Sequence, residues 1–437
     1  MTAFRPPRRA SRSQAHRRRV RSIPARLLAG AVLIGFVAII GLGATMGDRS
    51  SAQARSESSA TGRPTLPAGP MEAIASAAVP SPTPVRSMDP APPLPSSGPV
   101  TSTNLYAGTG AGMLSPSVAS FPPRVYVPDE ATGTMVVIDP RTFKILGRYA
   151  VGASPEHVTP DWDLQRLYVE SSFGSRLTVV DPKTGRPTGH HTVRGPYNLY
   201  FTLDGKMAIV VLDSSRSGVR SGGHRQLYFF DRRTWRLIKA LDVPWAGADH
   251  LDFSADGRFF LLSTEYSGRL VKVDVNKIAI VGVLNVGGRP IDVRLAPDGR
   301  VFYVANQSRN GVSIIDPVHL RQLAFLPTGA GAHGLAISRD DRWLYVTNRR
   351  AGSLSVIDFA TRRRIKTWRI GGSPDMIAVS PDGSQLWISN RFGGTVSVVS
   401  GHDGHVIRVI RVGGRPHGLA YFPGPGSLSL GHNGIYR

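Results

Sequence analysis

The sequence predicts an all-β fold: a seven-bladed β-propeller closed by pairing of the C-terminal strand with the first blade, and preceded by a transmembrane helix and a disordered linker. Three observations carry this expectation. A unit of about 42 residues recurs down the second two-thirds of the chain. One strand is left over at the C-terminus, and the composition changes sharply ahead of the first repeat.

The clearest copy of the unit starts at Thr328, runs through Trp343-Leu344-Tyr345-Val346-Thr347-Asn348, turns at Ala351-Gly352 and ends its next strand at Ser355-Val356-Ile357-Asp358. An alternating strand of the latter kind occurs seven times, ending at Asp139, Asp181, Asp231, Asp274, Asp316, Asp358 and Ser400. Apolar residues at every second position give a strand two unlike faces, as a strand packed in a layered sheet requires. A second strand precedes it, for example Leu386-Trp387-Ile388, joined by a Gly-bearing hairpin such as Asn390-Arg391-Phe392-Gly393-Gly394. Asp-Gly turns at Asp204-Gly205, Asp256-Gly257, Asp298-Gly299 and Asp382-Gly383 lead into several of these second strands. Glycine suits them because it accepts positive φ at little cost.

The first repeat lacks its innermost strand, whereas His417-Gly418-Leu419-Ala420-Tyr421-Phe422 follows the last repeat with no partners of its own. The leftover strand is therefore expected to complete the blade that Arg124 begins, which joins the ends of the ring and removes its open sheet edges. From about Arg124 onward the chain resembles the YVTN-repeat, or YncE-like, β-propeller family, through Tyr345-Val346-Thr347-Asn348 and its variants. Glu170-Ser171 and Ser263-Thr264 replace the Thr-Asn pair, and an insertion near Ser214 to Gln226 sets the third blade apart. The resemblance implies the fold firmly. Function it leaves broad, since relatives include DNA-binding and surface-layer proteins and also enzymes.

Residues 1–26 hold nine arginines, and the twenty residues from Leu27 to Met46 carry no charge. That length crosses a hydrocarbon core, and an arginine cluster stays cytoplasmic, so the reading is a single-pass anchor over 27–46 with the ring outside. A signal peptide cleaved near Ala54 is the alternative. Residues 47–121, rich in Ser, Pro and Ala, read as a disordered stalk, which leaves 122–437 for the propeller. Of the net charge of +23, the first fifty residues hold +9 (ten Arg, one acid) and the stalk is balanced, leaving +14 on the ring. Such a charge draws polyanions. With no cysteine in the chain, disulfides, thiolate metal sites and c-type haem attachment are excluded.

The loops leading into the innermost strands and the hairpins between second and third strands belong on one rim. The lead-in residues His333, Asp375, His417, Glu156 and Asp249 share one register position, and His157, His250 and Asp292 the next, which strict alternation sends to the other face. Imidazole and carboxylate converging on one axis suit a divalent metal, with His333, Asp375, His417 and Asp249 as ligand candidates and Glu156 and His157 as candidate acid or base. The hairpins supply Arg309, Arg349, Arg350, Arg391 and Phe392, and the insertion adds Arg216 and Arg220. Guanidinium forks hold carboxylate or phosphate, so this rim is a candidate ligand surface.

The expected function is a membrane-tethered extracytoplasmic module that binds a partner protein or an anionic cell-envelope polymer, the propeller being a monomer. Nucleic acid is a less favoured ligand. A metal-dependent lyase or lactonase at the channel mouth is the main alternative, and the resemblance alone adds a subunit of a periplasmic redox dehydrogenase. No G-x-S-x-G elbow, phosphate loop or H-E-x-x-H helix occurs.

Overall fold

Residues 104–212 and 226–437 are described by the structure, a computed structural model. The basic segment, the apolar run Leu27 to Met46, most of the stalk, and Arg216 and Arg220 lie outside the described residues. Among the described residues no helix is long and apolar enough to cross a membrane.

Twenty-eight strands form seven four-stranded antiparallel sheets among these residues. The sixth blade is representative: Ala332–Ile337 is innermost, followed outward by Trp343–Asn348, Ser353–Asp358 and Arg363–Arg369. Burial falls in the same order, from innermost strands that are almost wholly enclosed to an outer strand that is almost wholly exposed. The outer strands therefore carry charge, as Arg363, Arg364, Lys366 and Arg369 do here. Seven apolar clusters fill the seven blade-to-blade interfaces. Val356 and Ile377 share the cluster between the sixth and seventh blades, and Val127 and Val396 that between the first and seventh. Each such enclosed aliphatic side chain contributes roughly 1.5–3 kcal/mol.

The C-terminal strand does complete the first blade. Phe422, Tyr421 and Ala420 pair with Arg124, Val125 and Tyr126, giving the sheet Ala420–Phe422, Arg124–Asp129, Thr134–Ile138, Ile145–Ala150. Backbone bonds extend the junction upward, from His417 N to the carbonyl of Pro128 (3.2 Å) and from Glu130 N to that of Arg415 (3.1 Å).

The signature residues explain how neighbouring blades are tied. Thr347 Oγ1 accepts from Gly334 N in its own blade (2.7 Å) and donates to the carbonyl of Asp375 in the next (2.6 Å). Ser263 repeats this with His250 N and the carbonyl of Ile291, and Ser389 with Met376 N and the carbonyl of His417. In the second blade the position is Glu170, fully buried, and burial pushes its carboxyl pKa well up. The neighbouring asparagine fixes the Gly-Gly lead-in. Gly372 has φ +66°, and a Cβ there would collide with Asn390 Oδ1.

Two parts of the chain differ from expectation. The last stretch of the supposed stalk, residues 104–121, is ordered against the ring. Leu105 N donates to the carbonyl of Pro297 (3.0 Å), Tyr106 Oη to that of Leu295 (3.0 Å), and Val118 and Phe121 join the core. Polar composition hid this because a handful of apolar side chains is enough to dock such a segment. Beyond the closing strand, residues 423–437 fold back beneath the ring. Phe201 N donates to the carbonyl of Leu430 (3.0 Å), His432 N to that of Leu199 (3.0 Å), and the Arg437 guanidinium lies 4.1 Å from the Tyr106 ring centre. Both segments cover the side on which the innermost strands end.

Two outcomes are expected. Phe422→Ala, which empties a fully enclosed site in the closing strand, should cost about 3–5 kcal/mol in urea denaturation. Thr347→Val keeps the shape but leaves Gly334 N–H and the Asp375 carbonyl without their hydroxyl, and should cost about 1–3 kcal/mol by the same measurement.

Candidate functional site

Just inside the rim the innermost strands break register. The shift falls between Pro155 and His157, Ala248 and Leu251, Pro290 and Val293, Ala332 and Leu335, and Pro374 and Ile377. A bulge turns a residue out of strict alternation, so consecutive side chains can both face the axis. The expectation that His157 and His250 point away from it is therefore corrected: their ring centres lie 5.2 Å apart, and His157 is 4.7 Å from His417.

An upper layer gathers three of the four expected metal ligands. Ligand-type atoms of His333, Asp375 and His417 lie within 4.8 Å of one another, and all three side chains are buried. His333 Nδ1 is 3.1 Å from Asp375 Oδ1, and His417 Nε2 is 3.6 Å from Asp375 Oδ2. On its other side His417 Nδ1 meets Glu156 Oε2 at 2.7 Å, and the hydroxyls of Ser154 and Ser172 donate to Glu156 Oε1 (3.1 and 3.0 Å). Asp249 does not join this layer. It sits beside His250, 2.8 Å from Nδ1.

Two of the rim arginines turn inward onto these acids. Arg349 Nε donates to Asp375 Oδ1 (2.7 Å), and the same guanidinium reaches His333 Nε2. Arg391 Nε donates to Glu130 Oε2 (3.1 Å) and lies 4.0 Å from Asp375 Oδ2. Burial drives the His333 pKa well below its ordinary value, and the Arg349 charge adds to the effect, so the ring is neutral. Breaking an enclosed pair of this kind by removing one partner typically costs about 3–5 kcal/mol. A metal on His333, Asp375 and His417 would compete with Arg349, whose guanidinium already contacts His333 and Asp375.

The remaining rim candidates are spread around the mouth. Arg309 caps the carbonyl of Val286 (2.7 Å) and lies over Phe325, while Arg350 donates to Asn310 Oδ1 (2.8 Å) in an exposed contact. Phe392 is 68% exposed, with the Arg349 guanidinium 5.7 Å from its ring centre. Phe173 and Tyr266 occupy the corresponding hairpins of the second and fourth blades and are also exposed, with Arg289 stacked over Tyr266 at 5.1 Å.

Below the upper layer lies a group that the sequence did not disclose. His157, His250 and His432 bring nitrogen atoms within 4.8 Å of one another, and each is fully buried. His432 comes from the tail, where Gly431-His432-Asn433-Gly434 turns back with positive φ at all four residues. A glycine-flanked His-Asn beyond the closing strand was the available signal, and only the three-dimensional path of the tail gives it meaning.

A family model described as YNCE-like beta-propeller matches residues 99–423. No protein of curated function gives a significant match to the sequence. The fold is similar to that of a functionally unknown protein from Desulfotomaculum acetoxidans (17% identity, TM-score 0.58, covering 68% of this chain and 98% of that one). It is also similar to the periplasmic gluconolactonase of Pseudomonas aeruginosa (20% identity, TM-score 0.57, 69% and 99%). The hydrazine synthase of Kuenenia stuttgartiensis shares it too (19% identity, TM-score 0.53, 62% and 90%). At these identities the likeness is one of fold. The matched span, the closed ring and the recurring signature together establish that this chain belongs to the YncE-like β-propeller family.

Proposed function

We propose that this chain is a binding module, tethered to the membrane through Leu27 to Met46 with its ring on the extracytoplasmic side, which recognises an anionic cell-envelope polymer at the rim. One observation carries this reading. The acids and imidazoles of the mouth are engaged with one another and with Arg349 and Arg391, whereas Phe173, Tyr266 and Phe392 face solvent on the same rim. Exposed rings beside guanidinium groups suit sugar faces bearing carboxylates, and the ring's share of the net charge draws such a chain in.

The test is a titration of the full-length protein with a polyuronate, followed by calorimetry at low and high salt. Binding should weaken as salt rises, and the triple variant Phe173→Ala, Tyr266→Ala, Phe392→Ala should bind at least roughly tenfold more weakly. Salt-independent binding, or an unchanged affinity in the variant, would overturn the proposal. Capture of a protein partner at unaltered rim residues would redirect it.

The pairing of His417 Nδ1 with Glu156 Oε2 favours a second reading, since a carboxylate that orients an imidazole is the arrangement of a general base. Lactone hydrolysis at the mouth is the corresponding activity, and one protein of similar fold is named a gluconolactonase. In a pH-stat assay with a sugar lactone, His417→Ala should then lower kcat by about 10²-fold. Hydrolysis no faster than in buffer would eliminate this reading and leave the first untouched.

A further inference from the structure

We propose that His157, His250 and His432 form a tri-histidine site for a divalent transition metal of the zinc class, which fastens the C-terminal tail into the axis of the ring. The site is distinct from the upper layer of His333, Asp375 and His417, and it stands independently of what the rim binds.

Three features point to a ligand and not to a packed trio of rings. The first is mutual orientation. Ring centres are 4.5 Å apart for His250 and His432, 4.9 Å for His157 and His432, and 5.2 Å for His157 and His250. The planes stand at 81°, 63° and 86°, so the rings meet edge to face around a common point and do not stack. A metal bound at about 2.1 Å would need nitrogens about 3.4 Å apart, within reach of small side-chain rotations from the present 4.8 Å limit.

The second feature is the shell behind the ligands. Asn198 Nδ2 donates to the carbonyl of Asp249 (3.2 Å), which fixes the amide so that its Oδ1 faces the tail. That oxygen accepts from His432 Nδ1 (3.0 Å), placing the proton there and leaving the Nε2 lone pair directed inward. Asp249 Oδ1 stands 2.8 Å from His250 Nδ1, a carboxylate neighbour of that ring. An oxygen acceptor behind a histidine is what orients imidazoles toward metals.

The third feature is what the ring nitrogens lack. Nε2 of His250 and Nε2 of His432 are enclosed with no hydrogen-bond partner, a costly state for two polar atoms in a low-dielectric interior. The nearby cation, Arg294, is held by Asp292 at 3.2 Å, so its charge is locally balanced and does not occupy the site as Arg349 does above. Three imidazole nitrogens with no thiolate, and with Asp292 Oδ1 3.9 Å from His432 Nε2, favour zinc or a neighbouring first-row ion over magnesium or calcium.

The experiment uses untagged full-length protein, stripped with chelator and titrated with zinc and then cobalt. Wild type should take up about one equivalent of zinc, give a cobalt d–d spectrum of tetrahedral intensity, and melt at a lower temperature when stripped. His432→Ala should abolish tight uptake and the melting shift, whereas Asp375→Asn should retain both. Asn198→Ala should weaken binding by roughly 10- to 100-fold, with Asn198→Asp restoring it. Should His432→Ala fold poorly, His432→Cys gives an independent reading, because a thiolate-to-cobalt absorption band must appear that wild type lacks. Wild type that takes up no zinc, uptake that survives His432→Ala, or a cobalt spectrum of His432→Cys without that band would each overturn the site.

Discussion

The pairing of three residues at the C-terminus with three near the start of the ring is the constraint on which everything else depends. Ala420, Tyr421 and Phe422 contribute few hydrogen bonds, yet they turn six complete sheets and one incomplete sheet into a circle. A circle has seven interfaces where an open array would have six, and the seventh buries Val125, Val127, Trp387, Val396 and Leu419. The convergence of residues as far apart as Glu156 and His417 is a direct result, since closure places the strand led by His417 in the first blade, beside Glu156 on the second.

The hydroxyl of the signature does for each neighbouring pair what the closing strand does for the whole. Thr347, Ser263 and Ser389 each hold the first residues of one innermost strand against those of the next. The carbonyls they grip belong to Asp375, Ile291 and His417, so two of the three ties fix residues of the upper layer directly. Structural and site residues thus share hydrogen bonds, and a signature that reads as a fold marker also sets site geometry.

The architecture was legible in the sequence because repetition supplies many weak signals in phase. Seven alternating strands, the Asp-Gly turns and the orphan strand after His417 all agreed, and each has its counterpart in the sheets. The site was only partly legible. The convergence of His333, Asp375 and His417 followed from counting register positions, but the same counting sent His157 and His250 to the wrong face. A bulge leaves no composition signal when the inserted residue is itself a normal strand residue. The rim arginines were visible as charges, yet whether a guanidinium faces water or an acid beneath it depends on which hairpins are neighbours. Arg349 meets Asp375 of the next blade, and Arg391 meets Glu130 across the closing junction.

The returning tail gives the molecule a direction. Leu430 packs beneath the third and fourth blades, and His432 projects up the axis until it touches side chains of the innermost strands. The tail thus lies across the end of the axis away from the rim, where Asn433, Gly434 and Tyr436 line a cavity together with Tyr106 and Arg294. The tail reaches its place by way of the closing strand, so the segment that carries His432 is anchored by the same junction that completes the circle.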